Sequence, residues 1–228
     1  MPTRKIRACP VKVTGTAPDG QQFESTIEED FFVLLRFNRS VASFEAQPVK
    51  VEWLDAKGKI HTYTPDVLVH YHQDMDESVS KPPLLCEIKP DHPEDAPQPV
   101  KRKHPYKENA AENALKWAAA KRYATAQGWE FSVFREKDVR TPYLKNVRFL
   151  LRALEKVKDS HFQPELLEKL DENGSLTLDE WAGTLASTLE ARAKVLPACY
   201  RLIALQRVEV DLEQPLTLQS MVRAMSHA

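Results

Sequence analysis

Cysteine and glycine are both scarce in this chain, three and six among 228 residues. Cys9, Cys86 and Cys199 are odd in number and far apart, which excludes a disulfide framework and a zinc-binding cysteine spacing and points to a reducing cytoplasm. The seven histidines form no H-E-x-x-H motif and no pair beside cysteines, so they read as surface or sheet residues. No apolar run nears the roughly 20 residues that a membrane helix requires, and no signal peptide opens the chain. Neither sign of charge dominates: 32 Lys and Arg stand against 33 Asp and Glu. There is no internal repeat and no low-complexity tract. With 42% hydrophobic and 29% charged residues the chain is neither disordered nor fibrous. Its length allows one large domain or two small ones.

A balanced total can hide an uneven distribution. Arg4, Lys5, Arg7 and Lys12 make a basic start, and Lys101, Arg102, Lys103, His104 and Lys107 a second cluster. Lys116, Lys121 and Arg122 follow on one predicted helix. Acidic residues gather at 74–77, at 91–95 and beyond about position 150. The front of the chain is thus a candidate basic face, although solvated surface lysines give the same pattern.

Hydrophobic periodicity predicts a helix over 24–37, where Phe23, Ile27, Phe31 and Leu34-Leu35 recur, with Ser25 or Thr26 near the N-cap. A short extended piece follows at 41–44, and Gln47-Pro48 is expected to stay extended. Residues 49–54 alternate as a half-buried strand, 55–59 form a hairpin turn, and 60–71 make the return strand. After an acidic loop, Leu84 to Lys89 reads as an interior strand stopped by Pro90. Five prolines between 90 and 105 predict a loop. A helix is expected over 106–127, ended by Gly128, and a further strand over 129–135. This order predicts an α/β fold: a meander extended into a mixed sheet with helices on its faces. Beyond about residue 145 the chain turns mostly helical, with helices over 146–156, 164–170, 177–189 and 193–207. A short strand at 208–212 and a final helical turn at 219–225 complete a small winged-helix-like module. The expected domains are 1–145 and 146–228.

The chemistry is concentrated in Pro65-Asp66 and, about twenty residues later, Glu87-Ile88-Lys89. In a strand, Glu87 and Lys89 share one face while Cys86 and Ile88 take the other. Asp66 on a neighbouring strand would bring a second carboxylate to the same place. Two carboxylates bind a divalent cation, and a lysine beside them can position a water and offset developing negative charge. Together they suit phosphodiester hydrolysis. Each residue also has a plainer role: Asp66 in a turn or bulge, Glu87 and Lys89 as an ion pair, and Glu28 on a solvated helix face.

The α-β-β-β-α-β order with P-D then E-x-K resembles the PD-(D/E)xK nuclease superfamily. More narrowly, FESTIEEDFFVLLRFN from Phe23, FEAQP from Phe44, HTYTPDVLVHY from His61 and LLCEIKP from Leu84 resemble TnsA. TnsA is the endonuclease subunit of heteromeric bacterial cut-and-paste transposases, and the resemblance covers about the first 150 residues. It implies that Glu28, Asp66 and Glu87 hold Mg²⁺ (Mn²⁺ as substitute), with the Ile88 carbonyl as a further ligand. Lys89 would orient the attacking water and steady the transition state. Glu24 and Glu29 compete for the helix role. Glu24 and Glu28 share one helix face, and Glu28 is preferred. Gln47 belongs to the pattern but is not expected to be catalytic.

The implied activity is nicking of the 5′ strand at transposon ends in double-stranded DNA. A TnsB-like DDE transposase would act on the 3′ strand, and a TnsC-like AAA+ regulator would engage the second domain. The expected setting is the bacterial cytoplasm at the nucleoid. Lys101, Arg102, Lys103, Lys107, Lys116 and Arg122 are the candidate phosphate contacts. Trp117 and Leu115 are expected to pack in the core. The alternatives are a stand-alone restriction-like or repair nuclease and a catalytically silent adaptor of the same fold.

Overall fold

The computed structural model describes residues 14–17, 19–73, 80–91, 109–156 and 161–225. The chain forms two compact units, Met1–Val139 and Arg140–Ala228.

In the first unit, strands β1 (Gly15–Thr16) and β2 (Gln22–Phe23) form a small antiparallel pair that leads into helix α1 (Thr26–Phe37). Ser25 is the N-cap: its hydroxyl accepts the Glu28 amide at 3.2 Å. Ile27, Phe31, Phe32 and Leu35 form the buried stripe that the periodicity predicts. Strand β3 (Val41–Ala46) is longer than the sequence suggests. The hairpin β4 (Val51–Leu54) and β5 (Ile60–Tyr63) follows, then β6 (Val67–Tyr71) and β7 (Leu84–Lys89). Helix α2 (Ala110–Ala126) ends at Gly128, whose φ is +73°, a conformation that glycine adopts without a Cβ penalty. Strand β8 (Glu130–Arg135) and the short helix α3 (Glu136–Val139) complete the unit.

The main sheet is mixed, in the order β3-β6-β7-β8, with only β7 and β8 parallel. Parallel strands need a crossover, and α2 lies in it. Val67, Val69, Cys86 and Ile88 pack against α1, whereas Leu68 and Leu85 pack against Ala124 and Tyr123 of α2. The mixed α/β architecture is therefore as expected, but the meander is not. Residues 60–71 do not run as one strand: Thr64, Pro65 and Asp66 interrupt them, and β4–β5 pair only with each other. Two local features cause the break. Pro65 has no N–H for a ladder, and Gln47 turns the chain with φ +51° instead of continuing it extended. The edge of the main sheet is instead supplied by β3.

The second unit contains α4 (Pro142–Lys156), α5 (Phe162–Asn173), β9 (Ser175–Thr177), α6 (Leu178–Gly183), α7 (Leu189–Ala204), β10 (Val208–Val210) and β11 (Met221–Ala224). The strands form one antiparallel sheet in the order β10-β11-β9. Its core includes Trp181, Leu166, Leu170, Leu202 and Val222, and the Trp181 indole donates to the Leu166 carbonyl at 2.7 Å. Two expectations fail here. Residues 177–189 are not one helix: Thr177 and Glu180 form a capping box for α6, which ends at Gly183, where the Arg192 side chain packs. A Cβ at Gly183 would lie 3.2 Å from the Arg192 guanidinium carbon. Residues 219–225 are not helical either, because Val222 alternates with exposed Met221 and Arg223 and pairs with both Val210 and Leu176. Among the described residues, no helix is long and apolar enough to cross a membrane.

Candidate active site

Asp66 lies where β6 parts from the sheet. Its backbone amide still donates to the Cys86 carbonyl at 3.0 Å, and its own carbonyl accepts the Gln47 amide at 2.8 Å. One step further along, its Oδ2 accepts the Ile88 amide at 2.7 Å. A carboxylate thus takes the position that the next ladder carbonyl would fill. Because the N–H and C=O of one strand residue point to the same side, the Ile88 carbonyl faces this same opening.

Glu87 and Lys89 share one side of β7, as their alternation requires, and Lys89 donates to Glu87 Oε1. Glu87 is buried, and its Oε2 has no hydrogen-bond partner among the described residues. Asp66 is within side-chain hydrogen-bonding reach of Glu87. The ion-pair role for Glu87 and Lys89 is therefore real, but it leaves half of a buried carboxylate unsatisfied beside a second carboxylate. Burial of an unpaired polar atom costs about 1–3 kcal/mol and calls for a compensating group.

Glu28 comes from the first turn of α1. Its Oε2 accepts the Glu24 amide at 2.8 Å and its Oε1 accepts the Ser25 hydroxyl at 2.8 Å. With the Glu28 amide on Ser25 this is a reciprocal cap, in which the carboxylate takes the Glu24 amide and the Ser25 hydroxyl, so Glu28 is not a solvated helix residue. It is buried, and its charge is coupled to Asp66 and Glu87. Glu24 also raises the Asp66 and Glu28 carboxyls, whereas Glu29 is not among the groups that act on them.

The electrostatics follow from this crowding. Burial, then the charge of Asp66, raises Glu87 to about 8, against the opposing pull of Lys89. Burial and Asp66 raise Glu28 to about 7. Asp66 is raised by burial, with Lys89 and the Ile88 amide pulling it back. Such a set is stabilised by an added cation. Among the described residues no three acidic, histidine or cysteine side chains stand as a finished metal cage. Glu28 is folded back onto its helix N-terminus and Glu87 onto Lys89. What does fit a hard divalent ion is the oxygen set of Asp66, the orphaned Glu87 Oε2 and the Ile88 carbonyl.

Tyr63 is a site residue that the sequence reading missed. Its hydroxyl is buried without a hydrogen-bond partner, and burial with the charges of Glu87 and Asp66 pushes the phenol up. The signal was its inward position on an alternating strand, three residues before Asp66.

Of the candidate phosphate contacts, Lys101, Arg102, Lys103 and Lys107 lie outside the described residues, as does the basic start at 4–12. Lys116 pairs with Glu112 and sits 5.3 Å from the Trp53 ring centroid, while Arg122 is exposed on α2. Trp117 is half-buried, with the Arg135 guanidinium 5.6 Å from its ring, but Leu115 is exposed rather than packed.

Residues 38–136 match the family model described as the TnsA-like endonuclease N terminal. This part of the chain is similar to a TnsA-like endonuclease domain. The match takes in Asp66, Glu87 and Lys89 but begins after α1, so Glu28 lies outside it. A comparison with curated proteins returned no significant match.

Proposed function

We propose that the chain is the metal-dependent DNA endonuclease subunit of a Tn7-like transposition system, nicking the 5′ strand at transposon ends. The observation that carries this reading is the buried Glu87 oxygen, unpartnered beside Asp66, within a TnsA-like endonuclease domain. An ion pair alone would need only Glu87 and Lys89. A second carboxylate brought against them raises the energy of the apo site and is useful only if a cation offsets it.

Asp66, Glu87 and the Ile88 carbonyl would hold Mg²⁺, with Mn²⁺ as a substitute. When bound, the ion supplies Lewis-acid polarisation of the scissile phosphate and lowers the pKa of a coordinated water. Lys89, which donates to Glu87 across the strand, would orient the attacking water and offset the charge that develops on the phosphate. Glu28, held by the Glu24 amide and the Ser25 hydroxyl, would keep its remaining lone pairs for a hydrogen bond from water at the site. Tyr63 can donate to a phosphate oxygen. A separate DDE recombinase would process the 3′ strand, and an AAA+ regulator would engage the second unit in its winged-helix-like role. The test is strand-specific nicking of a transposon-end duplex, with and without the neighbouring recombinase, in Mg²⁺ or EDTA. The 5′ strand should be cut in Mg²⁺ only, and more readily with the recombinase present. Cutting unaffected by EDTA, or confined to the 3′ strand, would refute the reading.

A further inference from the structure

The β4–β5 ribbon is built as an outrigger of the site. The chain leaves the site at Gln47 and returns to it at Asp66, and the Gln47 amide on the Asp66 carbonyl at 2.8 Å closes the base of the loop. Its inner face, Val51, Trp53 and Tyr63, packs on Ala119 and Tyr123 of α2. Its tip is held stiffly by one side chain. Asp55 Oδ1 accepts the Lys57 and Lys59 amides at 2.8 and 2.9 Å, and Oδ2 pairs with His61 at 2.9 Å. The His61 ring stacks on Trp53 with 4.9 Å between centroids.

This stiff tip presents an unusual surface. Leu54 and Ile60 are direct cross-strand partners on the outer face, 55% and 63% exposed. Lys57 and Lys59 beside them are exposed, and among the described residues neither side chain has an ion-pair partner. An exposed aliphatic pair capped by two lysines in the turn does not suit solvent. It suits a duplex groove, where a two-stranded ribbon fits, lysines meet phosphates and aliphatic side chains contact sugars and base edges. Glu52, on the same outer face nearer the base, confines phosphate contact to the tip.

We propose that the ribbon tip is a duplex-DNA contact, with Lys57 and Lys59 on backbone phosphates and Leu54 and Ile60 against the groove. The proposal rests on the nuclease reading of the site and adds to it a place where flanking DNA is held. The six residue steps from Asp66 to Ile60, fully extended, reach at most about 20 Å. At 3.4 Å per step, the tip therefore touches the duplex within about six base pairs of the nick. A ribbon clasped to Asp66 at its base turns this contact into a ruler for the cutting position.

The test uses the full chain and a fluorescein-labelled duplex in EDTA, so that binding is read without cutting. The Lys57→Ala/Lys59→Ala variant should keep the wild-type melting temperature, since both side chains are exposed. Its slope of log affinity against log salt should be shallower by about 1.8, at about 0.9 per phosphate contact. An Ile60→Cys variant carrying a photo-cross-linker should attach to DNA within that interval of the nick. An unchanged slope with no attachment to DNA, or attachment only to the partner recombinase, would overturn the proposal. If the wild-type chain nicks while the slope is unchanged, the ribbon inference fails and the nuclease reading stands. If the slope falls but no condition yields a nick, the reverse holds.

Discussion

Magnesium affinity should rise steeply with pH, because the acidic cluster must give up protons to receive the ion. Glu87 is raised to about 8 and Glu28 to about 7 by burial and by their neighbours. Near pH 6 Glu87 is almost wholly protonated, and a ligand with a pKa of about 8 binds about 100-fold more weakly there than when ionised. Protonated Glu28 adds up to about another tenfold if its charge also acts on the ion. Between about pH 6 and pH 9 the apparent affinity should therefore climb by about two to three orders of magnitude, or roughly 3–4 kcal/mol. The metal-free protein should show the opposite trend. A carboxyl whose folded pKa is raised contributes stability below its unfolded value, about 4.5, and loses it as pH rises through the folded value, here about 7 to 8. Calorimetric titration with Mg²⁺ in buffers of different ionisation enthalpy reads both affinity and protons released. Melting curves without metal across the same range read the stability trend. Affinity that is flat over this interval, with no protons released, would refute the reasoning.

Lys89→Ala should reduce nicking by about 10²- to 10⁴-fold, the range for loss of a positioned polar catalyst, while Mg²⁺ uptake measured by calorimetry persists. Ser25→Ala removes the α1 N-cap and one partner of Glu28, and should lower stability by about 1 kcal/mol in chemical denaturation. The same substitution should lower the nicking rate, because Glu28, whose charge acts on Asp66 and Glu87, loses one of its two anchors. Trp181→Phe leaves the buried Leu166 carbonyl without its indole donor, and should cost about 1–3 kcal/mol, read from melting of the second unit.

How much of this was legible in the sequence depended on whether a residue's role was set by its neighbours along the chain. The α1 stripe, the alternation of Leu84 to Lys89 and the Gly128 stop are local signals, and the structure follows them. The pairing of Asp66 with Glu87 is a long-range event. It could be anticipated because Pro65-Asp66 and Glu87-Ile88-Lys89 lie on neighbouring strands, and the Ile88 amide on Asp66 now fixes how they meet. The separation of β4–β5 from the main sheet was hidden, since Val49 to Tyr71 alternates well enough for one continuous meander. Only the left-handed Gln47 reveals the turn, and a non-glycine residue gives little warning of positive φ. Glu28 shows the opposite fault. Ser25-x-x-Glu28 carries the sequence signature of a capping box, yet its carboxylate was weighed only as a site residue or a solvated one. In the second unit, Met221 to Ala224 is too short for periodicity to separate strand from helix, and pairing on both sides decides it.

The central claim is that Asp66 and Glu87 together hold a divalent cation, and electron paramagnetic resonance of Mn²⁺ added to the full chain measures this directly. The account predicts a bound signal, stronger near pH 8 than pH 6, that persists in Lys89→Ala and is lost in Asp66→Ala and Glu87→Ala. A bound signal that survives Asp66→Ala unchanged, or none in the wild-type chain even with duplex DNA present, would contradict it.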